Sequence, residues 1–104
     1  KEMILIPISL TTVGSAAEEI VDVPNNRQYT LKTLTAWKDS TFTINISIED
    51  SRGYRTVYSY NMADGGVSVF DEPIILLGGD RLVSQSSSAG IDINATFEVN
   101  AYAG

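Results

Sequence analysis

The chain has 104 residues, 13 of them acidic and 7 basic, for a formal net charge of −6, and contains neither cysteine nor histidine. This composition rules out disulfides and thiolate metal sites, and removes both the commonest general base and the commonest transition-metal ligand. The acidic balance repels phosphate backbones, and Arg27, Lys32, Lys38, Arg52, Arg55 and Arg81 form no run, so nucleic acid is not an expected partner.

The length suits one β-sandwich domain over 1–104, with a core that needs no staple. No apolar stretch approaches the roughly 18 residues of a membrane span, so no membrane partner is expected. The opening KEMILIPISL lacks the basic region and small-residue cleavage site of a signal peptide and reads as a first strand. It is apolar on both faces and holds Pro7, which suits an edge or a strand start. Met3, Ile4, Leu5 and Ile6 are therefore the candidate self-association edge, since a strand apolar on both faces needs cover from both sides.

Next, AAEEIVDV carries helix-favouring glutamates, but Val21, Val23 and Pro24 argue for a strand. PNNRQ is a turn. YTLKTLTAWK, rich in Thr, Leu and aromatics, is a strand with Trp37 near its end as a core residue. TFTINISIED alternates strictly, Phe42, Ile44, Ile46 and Ile48 against Thr43, Asn45, Ser47 and Glu49, as a strand buried on one face does. After the turn DSRG, YRTVYSYNM places Tyr54, Thr56, Tyr58 and Tyr60 on one predicted face.

ADGG is a second strong turn, followed by the short strands VSVF, PIILL and RLVSQS. The last segment, IDINATFEVNAYA, alternates again, with Ile91, Ile93, Ala95, Phe97, Val99 and Ala101 facing one way. Eight or nine strands at regular spacing, with no significant helix, define an all-β chain. The expected architecture is an antiparallel β-sandwich, either jelly-roll or Ig-like.

Sites for chemistry are scarce. Gly78-Gly79-Asp80 lacks the following helix and Lys-Ser/Thr pair of a phosphate loop, and reads as a structural hairpin turn in which Asp80 bonds its own backbone. The acidic pairs Glu18-Glu19, Glu49-Asp50 and Asp71-Glu72 fall on neighbouring residues, which point to opposite faces of a strand and so cannot share a glycosidase cleft. The loop acids Asp39, Asp50, Asp64 and Asp80 show no calcium-loop spacing. The serines of SQSSSAG have no histidine to activate them, and no S-x-x-K occurs. No catalytic residue, metal or cofactor is expected. The triplets Asn45-Ile46-Ser47 and Asn94-Ala95-Thr96 lie inside strands and read as chance matches to a glycosylation signal.

The C-terminal third, PIILLGGDRLVSQSSSAGIDINATFEVNAY, resembles the ending of many small tailed-phage virion proteins. In these an apolar strand leads to Gly-Asp, a short Leu-Val strand, a Ser-rich turn and a long last strand. The N-terminal ILIPISLTTVGSAAEEIVDVPNNRQYTLKTLTAWKDSTFTINISIED is similar to them too. The resemblance implies a head decoration or cement protein, or a small head or tail component, located in the virion and without catalytic residues. Its implied partners are the major capsid protein or other virion proteins, and copies of itself, with a trimer favoured. The alternative is a carbohydrate- or receptor-binding module using the face of Tyr54, Tyr58 and Tyr60, because tyrosine offers contact area at low entropic cost.

Overall fold

The computed structural model describes residues 4–62, 66–70 and 72–101. It contains nine strands: β1 (Ile4–Thr11), β2 (Glu18–Asp22), β3 (Arg27–Lys38), β4 (Phe42–Asp50), β5 (Gly53–Met62), β6 (Gly66–Phe70), β7 (Ile74–Leu76), β8 (Arg81–Ser86) and β9 (Asp92–Ala101). There is no helix among the described residues, and the segment around Glu18 is a strand.

Sheet A runs β1-β9-β3-β6, with β7 also pairing β3 end to end with β6; sheet B runs β2-β8-β4-β5. The antiparallel pairs are nested: β4 with β5, β3 with β6 and β7, β2 with β8, β1 with β9. Such nesting is a long two-stranded ribbon folded at its β4–β5 hairpin. Rolling the ribbon up adds the β9–β3 and β8–β4 pairings and gives two layers, one of five strands and one of four. This winding is that of a jelly roll, and it differs from the Ig order, so the two expected sandwich types resolve in favour of the first.

The inward halves of the alternating strands form the core. Phe42, Ile44, Ile46 and Ile48 of β4 and Leu82 of β8 face Leu31, Leu34 and Ala36 of β3 and Ile93, Ala95 and Phe97 of β9. Each fully buried large side chain contributes about 1.5–3 kcal/mol relative to exposure. Ile6, Ile8 and Leu10 of β1 pack against this core from the sheet edge. The edge position expected from Pro7 is therefore where β1 lies.

Two bulges decide which residues face outward. In β3 the register against β9 shifts between Leu31 and Thr33. The extra residue keeps both Leu31 and Leu34 inside, and turns Thr33, Thr35 and Trp37 outward. Trp37, expected in the core, is 43% exposed on the outer face of sheet A. In β5, Tyr58 pairs with Ile46 while Thr56 pairs with the next residue, Ser47, leaving Val57 as the extra residue. Tyr58 and Tyr60 therefore share the inward side with Ile46 and Ile44, whereas Thr56 and Tyr54 share the outer side with Ser47 and Glu49. The single tyrosine face expected from the alternation does not exist.

The Gly78-Gly79-Asp80 corner turns the chain, but not as a hairpin: β7 belongs to sheet A and β8 to sheet B, so the corner carries the chain between layers. The Asp80 N–H donates to Leu77 O at 2.9 Å, closing a turn with Gly79 at φ +90°. The Asp80 carboxylate accepts the Leu77 N–H at 2.9 Å. Gly79 N–H donates to Val23 O, and Val23 N–H to Asp80 O, both at 2.9 Å, which ties the corner to the end of β2.

Candidate association surfaces

The outer face of sheet A carries few charges, Asp92 and an ion pair of Lys32 with Glu98 at 3.8 Å. Its middle is a ladder of short polar side chains, in which the Ser9 hydroxyl donates to Asn94 Oδ1 at 2.6 Å and the Thr11 hydroxyl to Asp92 Oδ1 at 2.7 Å. Along the β6/β7 side, Val69, Ile75 and Leu77 are each more than half exposed; Trp37 on β3 lies near Val69, whereas Ile75 lies opposite Thr30 toward the other end of β3. At the opposite edge Ile4 and Leu5 of β1 are also more than half exposed. Ile6 turns inward and is half-buried, and Met3 lies outside the described residues. Three of the four residues expected to form the self-association edge are thus placed on a free sheet edge, two of them open to solvent. The exposed apolar row on the other side was not anticipated; β6 and β7 are too short to show an alternation, and the β3 bulge hid the direction of Trp37.

The tyrosines divide. The rings of Tyr58 and Tyr60 stack with centroids 5.9 Å apart, and Tyr58 packs on Phe70 at 4.8 Å, covering the core at the β5 edge. Tyr60 remains 42% exposed there. Tyr54, 60% exposed, stands alone on the outer face of sheet B.

That face carries the charged groups. Arg81 Nε donates to Glu19 Oε1 at 2.8 Å, and its Nη1 donates to Glu49 Oε1. The hydrogen bond it donates to Glu19, with the charges of both carboxylates, holds the guanidinium more firmly protonated than usual. At the β4–β5 hairpin Asp50 accepts the Arg52 N–H at 2.8 Å and an Arg55 guanidinium N–H at 2.7 Å. These bonds, the backbone one foremost, hold its carboxyl below its ordinary range. Asp50 and Asp80 are thus engaged in turn-closing bonds, and Asp64 lies outside the described residues. No cluster of three acidic side chains suited to a metal ion occurs among the described residues. Asn45 and Asn94 both accept hydroxyl bonds within their sheets, from Ser59 and Ser9.

No protein-family model matches the sequence, and no curated protein sequence matches it. Among solved structures the chain is similar to a pentameric capsid protein isolated from metagenomic phage sequences, at 17% identity and a TM-score of 0.57. That match covers 88% of this chain and 61% of the other, so the chain spans about three fifths of the capsid protein's length. It is also similar to the Bacillus endospore appendage protein that forms disulfide-linked pili, at 15% identity and a TM-score of 0.61, covering 99% of this chain and 88% of that one. The globular domain of the zebrafish complement 1qA protein matches at 8% identity and a TM-score of 0.54, covering 92% and 96%. At these identities the likeness is one of fold.

Proposed function

We propose that this chain is a non-enzymatic structural subunit of a bacteriophage particle, a capsid decoration or cement protein that associates with itself and with the major capsid protein. The observation that carries the reading is the exposed apolar side chains at both edges of sheet A: Trp37, Val69, Ile75 and Leu77 toward one edge, and at the other Leu5 on the outer face with Ile4 open on the inner side. Exposed apolar surface of this kind marks contact sites. Apolar strips at opposite edges of one sheet suit a head-to-tail contact, in which the β1 edge of one copy meets the β6/β7 side of the next and the rotation closes into a ring. The fold likeness to a phage capsid protein supports the virion setting. The absence of histidine and cysteine supports a role without catalysis. Disulfide linkage, the mode named for the appendage protein, is closed to these cysteine-free residues.

Light scattering across a concentration series, on the wild type, Trp37→Ser and the double variant Ile4→Ser/Leu5→Ser, tests the association. The expected result is a closed oligomer, a trimer in the reading from sequence, that both variants shift toward monomer while keeping the wild-type circular dichroism. A wild type that stays monomeric at all concentrations, together with its absence from cryo-electron density of the source particle, would overturn the proposal.

A further inference from the structure

On the outer face of sheet B, Ala17, Ser47, Tyr54, Thr56, Val83 and Gln85 line a depression. Val83 forms its apolar floor: paired with Ser47 and Glu19 it points outward, yet it is only 4% exposed. Tyr54 forms one wall, its ring and hydroxyl without a ring contact or hydrogen-bond partner among the described residues. The rim is polar and only lightly committed. The Ser47 and Thr56 hydroxyls share one 3.2 Å contact, which uses one of their two protons, and Gln85 Nε2 reaches Ser15 O at a long 3.4 Å. From β8 to β5 the depression spans two strand spacings, roughly 10 Å.

We infer that this depression binds one neutral pyranose unit of a glycan. A pyranose has an apolar C–H face and a polar rim of hydroxyls, and the depression offers the complement of both: the Val83 floor and Tyr54 ring for the face, small hydroxyls and an amide for the rim. Charge selects against acidic sugars. The cations near the depression are already engaged, Arg81 between Glu19 and Glu49 and both Arg52 and Arg55 on Asp50, so none of them faces an incoming acidic sugar without a carboxylate beside it. The surface lies on the sheet opposite the one proposed for self-association, so that self-association leaves it open. The inference goes beyond the structural role and does not depend on it.

The experiment is an NMR titration of the intact chain with neutral hexoses and disaccharides, and with their sialylated or uronic counterparts. Tyr54→Ala, Tyr54→Phe and Tyr60→Ala variants are run in parallel, with circular dichroism as the folding control. Expected is saturable binding of a neutral sugar at about millimolar affinity, with shifts confined to the residues around Ser47, Thr56, Val83 and Gln85. Tyr54→Ala should weaken it by at least about tenfold, Tyr54→Phe should retain most of it because the ring remains, and Tyr60→Ala, on the other face, should leave it unchanged. No saturable shift with any sugar, a preference for the acidic sugars, or binding that survives Tyr54→Ala would each overturn the inference.

Discussion

Replacing Gly78 by alanine should destabilise the fold more than replacing Gly79, although Gly79 is the residue with the left-handed backbone. A Cβ on Gly78 would lie 2.4 Å from Asn25 O, 2.7 Å from Asn25 C and 2.8 Å from Asn25 Cα. Those are backbone atoms, next to the segment that makes the two 2.9 Å bonds between Val23 and the corner. Relieving the clash means moving one strand connection away from the other. The cost combines overpacking with weakening of the two bonds, about 2–4 kcal/mol in all. A Cβ on Gly79 meets only the Asn25 side chain, at an ordinary 3.5 Å. Gly79→Ala therefore costs about 1–2 kcal/mol for its φ of +90°, partly offset by the about 0.4–1 kcal/mol that alanine removes from the unfolded chain's freedom. Urea unfolding followed by circular dichroism separates them. With a slope of about 1–1.5 kcal/mol/M, the Gly78→Ala midpoint should fall by about 2 M and the Gly79→Ala midpoint by under about 1 M. The reverse order, or a Gly78→Ala midpoint indistinguishable from wild type, would refute the reasoning that close approach governs this corner.

Phe97→Ala empties a fully buried position between the sheets and should cost about 3–5 kcal/mol, read as a lower urea midpoint with unchanged slope. Thr12 is buried, donates its hydroxyl to Ser88 O and accepts the Ile91 N–H, each at 3.0 Å. Thr12→Val should cost about 1–3 kcal/mol by orphaning that N–H, and Thr12→Ser distinctly less. Ser84 Oγ is buried without a hydrogen-bond partner among the described residues, so Ser84→Ala should leave stability unchanged or raise it by about 1 kcal/mol in the same assay. Asp50, whose carboxyl is held below its ordinary value of 3.8, contributes stability that is complete above that value and is lost as the pH falls through the lower folded-state value. The urea midpoints of wild type and Asp50→Asn should therefore differ at neutral pH and converge in acid.

The strict alternations of β4 and β9 are legible in the sequence because both strands are central to their sheets and each exposes one face; Phe42, Ile44, Ile46 and Ile48, and Ile93, Ala95 and Phe97, are core residues as the pattern names them. The bulges were not legible. Inserting Val57 costs a period-two pattern only one step, and in YRTVYSYNM either phase places tyrosines and a valine plausibly, so the alternation groups Tyr54 with Tyr58 and Tyr60 although the bulge puts them on opposite faces. Likewise Trp37 reads as core on hydrophobicity alone, and only the β3 bulge with Ala36 inward fixes its direction. The corner at Gly78-Gly79-Asp80 was recognisable as a turn from its residue types. Nothing local in it encodes that the next strand joins the other sheet; that follows from β8 finding β2 and β4.

The pairing of β1 with β9 sets a timetable. Ile4 lies against Val99, so among the described residues the earliest strand finds its one hydrogen-bonded strand partner in the last. During synthesis the β4–β5 hairpin can form at once, while β1 waits with its apolar side chains uncovered until β9 has emerged. Closure of so long a loop is slow, on the order of milliseconds to seconds for all-β topologies. Over that interval the open flank of β3, which β9 will later occupy, is available to the β9 of another nascent chain, and exchange of the terminal strand between copies is the misassembly this winding most invites.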